Sequence, residues 1–187
     1  MVKKGDSIDW KTAVVTSVQI LQQREKVYLN HVWEYYLPEV RVNLQQVKDA
    51  ERRLGFEFPE DYKDFLLHAN GWNCFYQYVD VLPLHDLLNA SDIHRSIMYN
   101  VEFILKYEPA EGQWLDQKNL LPVTTDTHNV DTFVLIIPGN PNAGTAVWLS
   151  GDEIDRFPSF HEFYLSMLDY NRLEVKTLKE ELEAGEG

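Results

Sequence analysis

A search of the chain for chemistry stops first at Asp126, His128 and Asp131, two carboxylates and an imidazole in one short loop. Such a set can hold a divalent cation or relay a proton. The loop falls between two runs of strand character, where Asp, Asn and Thr are favoured for their backbone hydrogen bonds. No HExxH helix accompanies it, and the other histidines are scattered at 31, 68, 85, 94 and 161. Cys74, with His68 and His85 near in sequence, has the composition of an activated thiol. Between Asn73 and Phe75, at a strand start, it reads better as a small buried side chain. The Gly139–Gly144 loop has neither GxGxxG spacing nor a Walker lysine, and serves as a hairpin turn. No serine sits in a GxSxG elbow. The carboxylate pair Glu60-Asp61 suits a helix N-terminus, and Asp152-Glu153 is one more pair in an acidic chain. No catalytic residue, metal ligand or cofactor is therefore expected.

Residues suited to binding are easier to name. Trp72, Tyr76, Tyr78 and Trp114 are aromatic side chains, and such residues enter cores first. If Phe75 to Leu82 forms one strand, however, Tyr76, Tyr78 and Asp80 lie on the same face, because alternate residues point the same way. Tyrosine gives large contact area at low entropy cost. Trp72, Tyr76, Tyr78 and Asp80 are accordingly the expected partner-binding residues.

The elements that must position them follow from spacing. Trp10, Ala13, Val14, Val18, Leu21, Tyr28, Val32 and Tyr35 recur at helical intervals. They predict one long N-terminal helix, with a possible break near Gln22-Gln23-Arg24 and a stop at Leu37-Pro38. Asn43 with Gln46 reads as a capping box for a helix ending at Gly55. Ser91-Asp92 caps a helix carrying Ile93, Ile97, Val101, Ile104 and Leu105, and Asn89-Ala90-Ser91 is better read as that start signal than as a glycosylation site. Glu108 to Gly112 reads as a loop. Leu120–Thr125, Thr132–Ile137 and Thr145–Leu149 read as strands, the last two joined across Pro138–Gly144. Ser159 caps a helix with Phe160, Phe163, Tyr164, Met167 and Leu168 inward. Helices first, then mostly strands, then a closing helix predict a single α+β domain, a mainly antiparallel sheet with helices on one face.

The chain has 187 residues, with 30 acidic and 17 basic side chains and a net charge of −13. Nucleic acid and anionic membranes are polyanions and are disfavoured partners at that charge; a basic protein is favoured. A single cysteine excludes an internal disulfide and suits a reducing, cytoplasmic setting. Met1 to Ser7 has no apolar run behind it, so no signal peptide is expected, and no window is long and apolar enough to span a bilayer.

The sharpest motif runs from Glu51 to Gly71. Glu51-x-x-Leu54-Gly55 is followed by Phe58-Pro59-Glu60-Asp61-Tyr62-Lys63-Asp64-Phe65-Leu66 and then Asn70-Gly71. Gly55 fits a left-handed position past a helix end, and Pro59 the first position of the next helix. Tyr62, Phe65, Leu66 and Ala69 fall at i, i+3, i+4 and i+7, one buried stripe. This pattern resembles the SUKH superfamily, whose eukaryotic members include the yeast cell-wall-assembly regulator, with Phe58 where leucine is usual. Leu121-Pro122-Val123, the turn at 138–144 and Ser159-Phe160-x-x-Phe163 also fit that family's order. The resemblance covers about 37–170, leaving 1–36 as a helical extension and 171–187 as an acidic tail. It makes Leu54, Gly55, Pro59, Tyr62, Phe65, Leu66, Asn70 and Gly71 structural residues and implies a non-enzymatic protein-binding fold. Many bacterial members are similar to immunity proteins, cytoplasmic antidotes to toxins that are often nucleases. The expected function is stoichiometric neutralisation of a cognate, basic toxin domain. A regulatory scaffold is the alternative, and a small hydrolase on Asp126 and His128 is the third reading. Oligomeric state is left open.

Overall fold

Asp9 opens the first helix: its side chain accepts the Thr12 N–H and starts α1 (Trp10–Val27). The computed structural model describes residues 8–28, 33–88, 92–107, 115–126 and 131–185. Helix α1 buries Trp10, Ala13, Ser17, Leu21 and Arg24 along one face. It runs unbroken through Gln22-Gln23-Arg24, with Arg24 buried, and it stops at Val27, well before Leu37-Pro38. There the Tyr28 N–H closes on the Arg24 carbonyl and the chain turns extended. Tyr35, which continues the helical spacing, lies on an extended stretch. That stretch is tied down by Glu39 N–H to Gly71 O at 3.0 Å and Val42 N–H to Leu66 O at 3.1 Å.

Asn43 and Gln46 form the expected capping box of α2 (Leu44–Leu54), and Gly55 ends it at φ 81°. Pro59 stands one place before the first residue of α3 (Glu60–Leu66), a shift of one position from expectation. Then come β1 (Trp72–Tyr76), β2 (Val79–Val81), α4 (Leu84–Leu88) and α5 (Asp92–Tyr107). Helix α5 buries Ile97, Val101 and Ile104. A 3-10 turn at Gln117–Asn119 leads into β3 (Leu120–Pro122), β4 (Thr124–Asp126), β5 (Thr132–Ile136), β6 (Ala146–Leu149) and β7 (Glu153–Phe157). The chain closes with α6 (Phe160–Gly185), capped by Ser159 Oγ accepting the Glu162 N–H. The sequence boundary drawn at 170/171 lies inside this one helix.

All described strand pairs are antiparallel. They form two sheets, β1-β2-β4 and β3-β5-β6-β7. The strand expected over Leu120–Thr125 is thus divided: it leaves one sheet and enters the other at Val123. Val123 N–H bonds Phe133 O, and Val123 O receives Leu82 N–H. Pro122, which has no N–H to offer, sits on the outermost strand of its sheet, where that is tolerated. Strand β5 is buried along its whole length. Against the sheets packs α6, with α1 and α3 packed on α6, and Trp10 sits where the three helices meet. Its ring lies 5.1 Å from Tyr164 and 5.5 Å from Phe65, centroid to centroid. Helix α1 therefore completes the core, and Ser17 Oγ lies 2.8 Å from the buried Tyr164 hydroxyl.

Candidate functional site

The Glu51–Gly71 corner proves to be built for shape. Glu51 Oε1 accepts the Phe58 N–H at 2.8 Å and meets Lys63 Nζ at 3.3 Å, clamping the end of α2 to α3. Tyr62, Phe65, Leu66 and Ala69 are all buried. Asp61 Oδ2 accepts the His161 N–H at 2.9 Å, so the acidic start of α3 caps the first turn of α6. Asn70 Oδ1 accepts the Leu84 N–H at 2.8 Å and opens α4 in the same way. Gly71 adopts φ 89°, and a Cβ there would lie 2.9 Å from Pro83 N.

The carboxylates Asp126 and Asp131 are engaged too. Asp126 is buried and its Oδ2 accepts the Asp131 N–H at 3.2 Å. Asp131 Oδ1 accepts the Trp148 indole N–H at 2.7 Å. His128, Trp114, the 108–112 loop and the 89–91 sequon lie outside the described residues. Among the described residues no cluster of three metal-ligating side chains occurs. Cys74 is half-buried, and burial pushes its thiol pKa up, away from the reactive thiolate.

The expected strand Phe75–Leu82 is corrected to a hairpin. Gln77 takes φ 51° and, with Tyr78, turns the chain between β1 and β2; Cys74 is left-handed as well, at φ 49°. Tyr76, Tyr78 and Asp80 therefore do not share one strand face. Trp72 is 1% exposed, and its Nε1–H donates to Tyr36 O at 2.9 Å. Asp80 turns back across the hairpin, where Oδ1 accepts the Cys74 N–H at 2.6 Å, and burial raises its pKa. Tyr78 meets the edge of Trp33 at 6.0 Å. Tyr76 is half-buried, 5.9 Å from Tyr170 and 6.4 Å from Trp148.

Tyr76 leads to what the sequence did not show. A cleft of about 370 Å³ lies beside α6, lined by Tyr28, Trp33, Tyr76, Tyr170, Leu173, Glu174, Thr177 and Leu178. Its floor hangs on Arg24, which is 2% exposed. Arg24 Nη1 donates to Asn171 Oδ1 at 3.0 Å, Nη2 donates to Cys74 O at 3.1 Å, and the guanidinium sits 5.7 Å above Trp33. Asn171 in turn donates to Phe75 O at 2.9 Å. These two side chains occupy carbonyls of β1, the outermost strand of its sheet. Glu174 faces Arg24 at 3.5 Å. Burial raises the Glu174 pKa, and Arg24 opposes that rise. The signal for an inward Arg24 was its place, i+3 from Leu21 and i+7 from Ser17, on the buried stripe of α1.

The sequence model of the SMI1/KNR4 family (SUKH-1) matches residues 41–166, two-thirds of the chain. The chain belongs to the SMI1/KNR4 family. A 49-residue stretch is also 37% identical to the protein named "Uncharacterized protein YnaB" of Bacillus subtilis (strain 168), covering 26% of this chain and 33% of that protein. That match spans a third of the relative's length. SMI1/KNR4 membership supports an immunity-like or regulatory role exercised through protein–protein interaction. Of the cleft residues, only Tyr76 falls inside the family match. Tyr28 and Trp33 precede it, and Tyr170 to Leu178 follow it. Among the described residues no helix is long and apolar enough to cross a membrane.

Proposed function

We propose that this protein is a cytoplasmic immunity protein. It binds a cognate toxin domain one to one and covers the toxin's active surface, with a nuclease as the expected class. The observation that supports this reading is the cleft beside α6: partly exposed aromatic side chains, on a chain of net charge −13, all but Tyr76 outside the family match. An acidic inhibitor is steered toward a basic nuclease, and tyrosines give it contact area once docked. Binding rather than catalysis also fits the carboxylates, since Asp61, Asp80, Asp126 and Asp131 each hold a backbone or indole N–H. No cofactor is called for.

The test is co-expression with toxic domains encoded beside this gene. Growth is restored and a one-to-one complex co-purifies if the proposal holds. Failure of both, for every such neighbour, overturns it. A regulatory scaffold remains the second reading, because SMI1/KNR4 membership supports it equally; it predicts a stable host-protein partner and no rescue.

A further inference from the structure

Resting on the protein-binding reading, we propose that the cleft beside α6 receives one cationic side chain, a lysine or arginine, projecting from the protein partner. Three observations favour that occupant over a purely apolar one.

The first is an unmet acceptor. Glu174 lines the cleft, and its Oε2 is buried and accepts no hydrogen bond from any described residue. At 3.5 Å from Arg24 it is an ion-pair partner, not a hydrogen-bond acceptor in good geometry. A buried carboxylate oxygen gains most from a charged donor. Nor does Arg24 forbid a second cation. Two of its five N–H donors are held by Asn171 and the Cys74 carbonyl, and its side chain is almost wholly shielded from solvent.

The second is the ring arrangement. Trp33 is already stacked on Tyr28 at 4.9 Å and covered by Arg24. The rings left to an incoming cation are Tyr76 and Tyr170, whose centroids stand 5.9 Å apart and tilted by 42°. Two such rings beside a carboxylate form a partial cage for an ammonium or guanidinium group. The Trp33 Nε1–H, buried and without a described acceptor, is a donor for a carbonyl of the same segment.

The third is shape. Leu173 and Thr177 stand on the exposed side of α6, and Leu178 lies between them and the core. Walls of this kind suit the methylene stem of lysine or arginine while its head reaches the polar floor. A leucine would fill the walls and leave Glu174 Oε2 without a hydrogen-bond donor, while Oε1 keeps the Gln77 amide at 3.4 Å. An acidic side chain would meet Glu174 with like charge.

The probes are four short blocked peptides, acetyl-Gly-X-Gly-amide with X arginine, lysine, leucine or glutamate. Each is titrated into the full-length protein while the Trp33 indole resonance is followed by NMR. Arginine and lysine peptides should bind about three- to thirtyfold more tightly than the leucine peptide, the span expected of a partly desolvated cation on aromatic rings. The glutamate peptide should be weakest. Tyr170→Ala should cut arginine-peptide binding severalfold, and Thr177→Arg, which plants a cation at the cleft wall, should abolish it. Both positions are solvent-exposed, so these variants stay folded where Glu174→Gln destabilises the Arg24 network. Equal affinity for leucine and arginine peptides overturns the proposal. So does arginine-peptide binding unchanged in both variants, or a Trp33 shift driven by protein concentration alone, which would mark a second copy as the occupant. No toxin enters this titration. Peptide binding with failed rescue refutes the toxin reading alone; rescue without peptide binding refutes this inference alone.

Discussion

Gly71→Ala and Gly55→Ala form a matched pair that separates backbone strain from crowding. Both glycines are left-handed, at φ 89° and 81°. An L-residue held there costs about 1–2 kcal/mol, offset in part because alanine also narrows the unfolded ensemble by about 0.4–1 kcal/mol. At Gly55 nothing lies within 4 Å of a new Cβ, so that net strain is the whole effect, about 1 kcal/mol. At Gly71 the Cβ would stand 2.9 Å from Pro83 N and 3.0 Å from Pro83 Cα. Backbone atoms must then shift, and overpacking of this kind adds about 1–3 kcal/mol. The shift also pulls on the next residue, because Leu84 N–H is held by Asn70 Oδ1. Gly71→Ala should therefore lose about 2–4 kcal/mol, and its effect should be less than additive with Asn70→Ala, since both release the start of α4. Urea unfolding followed by tryptophan fluorescence reads the difference as a midpoint shift at unchanged slope. Equal losses at the two glycines would show that close approach to Pro83 contributes nothing. Full additivity with Asn70→Ala would refute the coupling.

Arg24→Met leaves Glu174 without its counter-ion and the Cys74 carbonyl without its donor; about 2–4 kcal/mol should be lost at pH 7. The loss should shrink in urea melts as pH falls toward 4.5, because burial makes Glu174 take up its proton above that ordinary value, and more readily once Arg24 is gone. Asp80→Asn keeps the acceptor for the Cys74 N–H and removes a carboxylate whose pKa burial raises. A raised acid pKa means that the native state binds the proton more tightly, so stability from this group falls as pH climbs above 3.8. The variant should match or exceed the parent at pH 7, and its stability should decline less between pH 4 and 7. Tyr62→Phe should be neutral, or stabilising by up to about 1 kcal/mol in thermal unfolding, because the fully buried hydroxyl has no hydrogen-bond partner among the described residues.

The corner and the cleft differ in how far the sequence discloses them, for a physical reason. Asn43 with Gln46, Gly55, Asn70, Gly71 and Ser159 each do something few other residues do: cap a helix, or take a left-handed turn. Their types therefore betray their conformations. The β1–β2 turn is made by Gln77 at φ 51°, with no glycine or asparagine at that place, so nothing in the residue types separates a hairpin from a strand. The inward Arg24 is only half disclosed: its place on the stripe of α1 marks an inward position, but such a stripe predicts apolar side chains and not a guanidinium. Tyr28, Tyr76 and Tyr170 are brought together only by the packing of α1, β1 and α6.

Scaffold and cleft are joined through one set of bonds, and that sets how loss of binding should be interpreted. The family-matched region supplies both sheets and the start of α6; α1 and the rest of α6 stand against it. Polar contacts clasp the two helices: Ser17 with Tyr164, Arg24 with Asn171 and Glu174, and Lys179 Nζ with Gln23 Oε1 at 3.4 Å. The middle one also fixes β1 through the Cys74 and Phe75 carbonyls. A change in Arg24 or Asn171 therefore moves the cleft walls and the hairpin together, and lost binding there reports lost architecture. Tyr170, Leu173 and Thr177 make no such bond among the described residues and are exposed. They are the positions where partner choice can change while the fold stays put, which is what an inhibitor matched to one partner among many requires.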